Sequence, residues 1–296
     1  MLWRTEPTVM LGVNQAAHAE VNMDRSHELG VSLVRRPSGG GAIFTDIGTL
    51  QYTVITRYVN PDSLRGEKNT LVQPILSSLN KLGVRAELAG RNDILLDGVK
   101  ISGVAQACAH GRLISHGSLL YSTDLDMLAQ VLRPASDKFQ SKAVKSVRSR
   151  VTRLCEILNM PFEEFQEYLK INLLTEQGLT EYRFTQDDLV QIELIRAAKF
   201  GNDEWTFTKS PEFTYHGGMR FAQGRIDAYV SVQSDVIQSL TIQGDFMNVS
   251  PIGDLTDKLI GVCYNRKTIG AELANIELEP YVGGITCDEL ISCIYE

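Results

Sequence analysis

The chain has 296 residues, 43% hydrophobic and 22% charged, which suits one large domain or two moderate ones and excludes a disordered or fibrous chain. A net charge of −7 argues against general nucleic-acid binding, and the longest apolar runs, such as Ile94-Leu95-Leu96, are too short to span a bilayer. Five scattered cysteines (Cys108, Cys155, Cys263, Cys287, Cys293) without a CxxC pair predict neither a disulfide framework nor a zinc site. With no basic-then-apolar leader at the start, a cytoplasmic protein is expected.

From Leu2 to about Arg153, short strand-like runs alternate with Gly-rich turns: Thr8 to Leu11, Leu50 to Ile55, Ile94 to Leu96 and Ser118 to Ser122. Leu71, Ile75, Leu79 and Leu82 make one stripe of a helix over Thr70 to Leu82, with Gly83 as its C-cap. Another helix fits Leu125 to Leu132, ended by Pro134. Helical periodicity then runs from Pro161, through Phe162, Phe165 and Leu169, and again over Gln186 to Ala198. Lys199 to Asn202 reads as a linker. Beyond it, Trp205 to Glu296 reads as a small α+β module, with strands at Ile226 to Val232 and Ser239 to Ile242. Helices are expected there at Asp254 to Val262, Lys267 to Ala274 and Cys287 to Tyr295.

Four segments carry chemistry. Arg35-Arg36-Pro37-Ser38-Gly39-Gly40-Gly41-Ala42 joins paired cations to three glycines, whose backbone can take positive φ and bring N–H groups close to an anion. It matches neither GxxxxGK[ST] nor GxGxxG, and a flexible turn would explain GGG alone. Gly90 to Gly103 reads as strand, Asp-Gly turn, strand, with Asn92-Asp93 ahead of the first strand and Lys100 just after the turn. Asn92-Asp93 suits a cation–phosphate complex, though a hairpin lysine is usually a solvated edge residue. His116-Gly117-Ser118-Leu119-Leu120 sets a histidine before a strand; a structural histidine is the plainer reading, and a Cys108–His116 nucleophile–base pair the sharper one. Lys138 to Arg153 has six basic residues and no acid, a surface for nucleic acid, nucleotide phosphate or an acidic protein.

In this order the segments resemble the lipoate–protein ligase family, which carries an RR-x-SGGGA loop, a GRND segment, a K-(I/V)-SG-x-A hairpin, an HG-(S/T)-LL strand and a K-SVRSRV segment. Here these are Arg35 to Ala42, Gly90 to Asp93, Lys100 to Ala105, His116 to Leu120 and Lys145 to Val151. Lys209-Ser210-Pro211 and Gly244-Asp245-Phe246 look like the family's small accessory domain, so the resemblance covers nearly the whole chain.

The resemblance implies an α+β fold: a biotin/lipoate ligase-like mixed sheet flanked by helices over residues 1–200, and an accessory domain over 204–296. It implies that the family's further strand and helix before Leu2-Trp3 are missing here. It also implies two-step chemistry with ATP, Mg²⁺ and lipoate as substrates and no permanent cofactor: lipoyl-AMP forms, then a lysine of an acceptor protein takes the lipoyl group. Lys100 would be the catalytic lysine. Arg36, Ser38, Gly39, Gly40, Gly41 and Ala42 would hold the acyl-adenylate together with Ser102, Gly103 and His116; Asn92 and Asp93 would serve the Mg²⁺–phosphate end. Ile43 and Phe44 would pack on the lipoyl tail.

The implied acceptor is a glycine-cleavage H protein, a relative of it, or the acyltransferase subunit of a 2-oxoacid dehydrogenase, and the implied state is a monomer without nucleic acid or membrane. Thr45, Thr49 and Val13 depart from residues common in the family. Two other readings stay open: a carrier-dependent octanoyl or lipoyl transferase, for which Ala135 after Pro134 lacks the cysteine of one branch, and a non-catalytic paralogue that binds lipoate or its carrier.

Overall fold

The computed structural model describes residues 1–57, 64–90, 92–133, 151–207 and 213–295, with the backbone alone for 18–19 and 64–71. Arg91, the Pro134-Ala135 pair, the basic stretch up to Arg150 and Lys209-Ser210-Pro211 lie outside the described residues, as does the Leu71 side chain.

In chain order, β1 (Leu2–Trp3) and β2 (Thr8–Leu11) precede two short helices, α1 (Ala17–Glu20) and α2 (Met23–Glu28). Strands β3 (Ser32–Arg35), β4 (Ile43–Thr45) and β5 (Thr49–Arg57) lead to α3 (Leu64–Lys81). Then follow β6 (Ala86–Ala89), β7 (Asp93–Leu96), β8 (Val99–Ala109), β9 (Arg112–Leu120) and α4 (Leu125–Val131). Helices α5 (Phe162–Gln177), α6 (Gln186–Ile195) and α7 (Asp203–Thr206) connect to a C-terminal module. That module contains β10 (Tyr215–Phe221), β11 (Gly224–Gln233), β12 (Val236–Gly244), α8 (Ile252–Thr256), α9 (Arg266–Leu273), α10 (Glu279–Val282) and α11 (Cys287–Ile294).

The largest layer is a six-stranded antiparallel sheet in the order β1-β5-β9-β8-β7-β6. Its apolar face carries Leu50, Tyr52, Ile94, Val104 and Leu119, covered by Val72, Ile75 and Leu79 of α3 and by Phe165 and Leu169 of α5. Tyr121 stacks on Phe165 with ring centroids 4.7 Å apart, sealing the α5 side. A smaller sheet, β3-β2-β4, shares its own core of Val9, Leu11, Val31 and Phe44 with Ala17 and Val131. The C-terminal sheet, β10-β11-β12, buries Ile226, Ala228, Val230 and Ile242 against Ile269, Leu290 and Ile294 of its helices.

Local chemistry explains the best-read elements. Asp97 and Gly98 at the β7–β8 turn both have positive φ (47° and 82°), the backbone of a two-residue I′ hairpin. Asp124 caps α4 by accepting from Asp126 N and Met127 N. Helix α3 starts at Leu64, earlier than Thr70, and runs through Pro74.

Elsewhere the structure corrects the sequence reading. β9 spans Arg112–Leu120 instead of starting at Ser118, and β3, β4, β6 and β10 were not expected; all but β10 have three or four residues, too few for a period-2 signal. The segment expected as a helix over Asp254 to Val262 is the single turn of α8 followed by a 3₁₀ turn at Asp257–Leu259. Lys199 is not a linker residue but closes a helical turn, Arg196–Phe200, and lies 4.0 Å from the Trp205 ring centroid. Helix α6, read as packed, has no buried residue, because its apolar positions point to all sides instead of one.

Candidate functional site

The second face of the six-stranded sheet builds the site. Cross-strand register sets Asp93, Gly103, Ser118 and Gln51 side by side across β7, β8, β9 and β5, with Ala105, His116 and Thr53 forming the next row. Glycine and alanine leave the middle of this surface low, and polar groups stand around it. A bulge decides where Lys100 goes. Ile94 pairs with Ser102 but Leu95 pairs with Lys100, so Ile101 is the extra residue and stays in the core. Without it, strict alternation would send Lys100 into the core. With it, Lys100 Nζ lies 2.7 Å from Asp93 Oδ1, both side chains about one-third exposed. A Cβ on Gly103 would stand 3.3 Å from that ammonium, so glycine gives the lysine its room.

Asn92 ties this corner down: its backbone oxygen accepts from Val104 N (2.8 Å) and its side-chain amide donates to Val104 O (3.1 Å). Val151, at the end of the basic segment, bridges to Lys100, and Thr152 N donates to Lys100 O (3.0 Å). A cleft of about 690 Å³ opens beside Val99, lined by Ser122, Asp124, Asp126, Thr152, Arg153 and Glu156. Among the described lining residues, three carboxylates face one arginine that already holds Glu156.

The glycine loop lies between β3 and β4. Arg36, buried, donates from Nη1 to Met10 O (2.9 Å) and from Nη2 to Gly39 O and Gly41 O (both 2.8 Å). Its Nε donates to Ser38 Oγ at 3.1 Å. Burial, then the neighbouring Arg35, lowers its pKa to about 10, so it stays charged. Arg35 serves another tie: Nη1 reaches Gly12 O (2.7 Å) and Gln15 O (2.6 Å), and Nη2 reaches Thr206 O (2.7 Å). Both arginines therefore shape main chain, and neither presents an open guanidinium. Ser38 Oγ lies 2.6 Å from His116 Nε2. Burial, and then Arg36, hold the His116 pKa down to about 4, so its ring is neutral.

Gly40 takes φ = 89°, a conformation that favours glycine, and a Cβ on Gly12 would sit 2.0 Å from Gly40 O. The C-terminal module closes over this loop: Gly40 N donates to Phe246 O (3.0 Å), Asn14 Nδ2 to Asn248 Oδ1 (3.1 Å) and Gly244 N to Asn14 O (2.9 Å). These contacts join residues more than 200 positions apart, and no sequence signal announces them.

Of the expected site residues, the structure gathers Lys100, Asp93, Gly103 and His116 on the open face, with Ser38 at His116; Gly39 to Gly41 form the loop that Ser38 leads, and Asn92 adjoins Asp93. Ser102 departs from expectation: it is fully buried on the other face, opposite Leu119 and near Tyr52. Phe44 departs too, because alternation along β4 turns it into the core with Val9 and Leu11, leaving Ile43 on the face it shares with Thr45. Ala42 packs at the rim of that core. Cys108 and His116 point to opposite faces, since Cys108 pairs with Leu113 and His116 with Ala105; they form no nucleophile–base pair.

The three departures have local accounts. Thr45 Oγ1 accepts from Gln51 Nε2 (2.7 Å), Thr49 Oγ1 donates to Asp46 Oδ1 (2.9 Å), and Val13 uses its main chain, donating to Ser38 O (2.9 Å). Gln51 and Ser118 are site neighbours that sequence reading missed; period-2 alternation along β5 and β9 was the available signal.

A family model of the lipoyl protein ligase A/B catalytic domain matches residues 1–173, and one of the bacterial lipoate protein ligase C-terminus matches residues 210–294. The chain belongs to the lipoate–protein ligase family. Among its relatives, lipoate-protein ligase LplJ of Bacillus subtilis is 35% identical, covering 100% of this chain and 90% of its own. The lipoate–protein ligase of Streptococcus pyogenes is 33% identical, over 98% and 87%.

Solved ligase structures share the fold. LipL1 of P. falciparum, solved with lipoate, superposes with a TM-score of 0.77 at 24% identity, covering 98% of this ligase-family chain and 84% of its own. A lipoate-protein ligase A bound with ATP gives 0.62 at 27% identity, over 70% and 84%. The bipartite ligase of Thermoplasma acidophilum, described with its E2 lipoyl domain, gives 0.65 at 28% identity, over 72% and 85%.

Proposed function

We propose that this member of the family attaches lipoate to a lysine of a lipoyl-domain acceptor protein, using ATP. The observation that carries the reading is the bulge-directed Lys100, paired with Asp93 over the Gly103–Ala105 floor. A partly exposed cation held over a floor of small residues is placed to meet negative charge on a ligand.

In the first step a lipoate carboxylate oxygen bonds to the α-phosphorus of ATP, the bond to the β-phosphate oxygen breaks, and pyrophosphate leaves. In the second, the acceptor amine nitrogen bonds to the acyl carbon, the acyl–phosphate oxygen bond breaks, AMP leaves and the amine loses a proton. Lys100 is the proposed catalytic residue for charge on the carboxylate and α-phosphate oxygens, with the loop from Ser38 to Ala42 holding the adenylate. Mg²⁺ enters with ATP as part of the substrate, and Asp93 is the carboxylate nearest to serve it once released from Lys100. Met10 and Ile43, on the inward face of the small sheet, suit the lipoyl tail.

The finer proposals are an H protein, an H-like protein or a 2-oxoacid dehydrogenase acyltransferase subunit as acceptor, a monomeric enzyme, and a cytoplasmic setting. All five cysteines are thiols, and among the described residues no helix is long and apolar enough to cross a membrane.

The test is pyrophosphate release from ATP and Mg²⁺ with and without lipoate, in the absence of acceptor, with mass spectrometry for lipoyl-AMP. Lipoate-dependent release with the adenylate present is the expected result. Folded protein that releases none would reject the ligase reading.

A further inference from the structure

We infer that His116 acts in this reaction as a positioning residue, working through Ser38 and Arg36 to set which way the amides of the glycine loop face. The inference rests on the ligase reading above and adds a role for a histidine that touches no reacting atom.

Proton bookkeeping fixes the Arg36–Ser38 bond, and the imidazole tautomer sets the Ser38–His116 one. Arg36 Nε can only donate, so Ser38 Oγ accepts there, at 3.1 Å. Ser38 has one proton, and its oxygen lies 2.6 Å from His116 Nε2. A serine oxygen can accept twice, so this contact fits either neutral tautomer; in the proposed brace Nε2 is the acceptor and Nδ1 carries the ring hydrogen. The chain therefore runs from His116 through Ser38 to Arg36, and from Arg36 Nη2 to Gly39 O and Gly41 O.

A trans peptide sets each C=O opposite the next N–H. Pinning the Gly39 and Gly41 carbonyls toward Arg36 therefore turns the Gly40 and Ala42 N–H groups away from it. Gly40 bears this out, since its N–H faces outward and meets Phe246 O at 3.0 Å. That bond takes the Gly40 amide, so by the same rule the Ala42 N–H is the one that the brace turns toward an acyl-adenylate. His116 is the fixed end of the brace, held on β9 between Ala105 and Thr53, whereas the glycine loop has no strand pairing of its own.

If His116 works only through Ser38, the two must be non-additive. His116→Leu removes the acceptor and should raise the KM for lipoate roughly tenfold, with kcat within about threefold, the size of one lost buried hydrogen bond. His116→Gln keeps an acceptor oxygen and should restore most of the KM. In a Ser38→Ala background, His116→Leu should add nothing. Circular dichroism and melting of each variant show whether it folds. A His116→Leu enzyme with wild-type KM, or effects that multiply in the double variant, would overturn the inference. Should His116→Leu not fold, Ser38→Ala decides: it must raise KM alike and make His116→Gln silent. Wild-type lipoyl-AMP formation, measured first, tests the ligase reading separately. Imidazole ¹⁵N shifts test the brace without turnover: an Nδ1–H tautomer is expected, and an Nε2–H tautomer would sink it.

Discussion

The six-stranded sheet and the C-terminal three-stranded sheet are built alike and used differently. Each is antiparallel and buries one face under helices. On its other face the C-terminal sheet closes upon itself. Arg225 holds Asp227 by two bonds of 2.6 Å, Arg220 holds Asp245 at 3.1 Å, and His216 stacks on Tyr229 with centroids 4.4 Å apart. The six-stranded sheet keeps its second face low with Gly103 and Ala105 and stands a partly exposed lysine above it. Where side chains consume one another's charge the surface is structural; where small residues clear a floor beneath a cation, it is arranged for a ligand.

The strongest way to break the contrast is Arg36→Leu. It strands the carbonyls of Met10, Gly39 and Gly41 in a buried setting, each worth about 1–3 kcal/mol. A fall in stability of about 3–5 kcal/mol by urea unfolding, with loss of adenylate formation, is expected; a midpoint near wild type would contradict the loop-tying role. Next comes Lys100→Ala. Adenylate formation should drop about 100- to 1,000-fold with the melting temperature nearly unchanged, because the side chain acts on charge and packs little. Near-normal turnover would remove that lysine from the chemistry.

A pH series sharpens the comparison further. Burial holds the His116 pKa at about 4 in the folded chain against the ordinary 6.5, so the unfolded chain takes up the proton first. Its contribution is complete above about pH 6.5 and is lost as pH falls toward 4, on the order of 2 kcal/mol by pH 5. Comparing urea midpoints of wild type and His116→Gln at pH 7 and 5 isolates this group; equal slopes would disprove the burial argument. The smallest effect belongs to the closed face. Asp227→Asn should cost under about 1 kcal/mol and leave adenylate formation unchanged, since it loosens a partly exposed pair. A large loss of turnover would mean that the C-terminal face takes part in the site.

How much of this was legible beforehand follows from the range of each interaction. The Asp97-Gly98 turn, Lys100 after it and the Gly39 to Gly41 loop are short-range features, and all three stand in the structure as read. The small C-terminal module could likewise be read from local periodicity, whereas the α+β class of the whole chain comes from the family resemblance. What Arg35 and Arg36 do could not be read: paired cations before glycines suggest an anion, yet both are spent on main-chain carbonyls, those of Gln15, Thr206 and Met10 among them. Phe44 and Ser102 went astray because their facing depends on register and, for Ser102, on a bulge that no spacing reveals. The Phe246–Asn248 contact lies at the far limit, set by how two cores meet.

The Arg35 tie bears on where the chain can be cut. Its guanidinium holds residues 12–15 on one side and Trp205 and Thr206 on the other, and Trp205 Nε1 donates back to Arg35 O (2.9 Å). A catalytic fragment ending at residue 200 would leave that cation buried with half its acceptors gone, whereas one ending at 207 would carry the latch with it. For anyone expressing the two parts as separate chains, α7 belongs with the first.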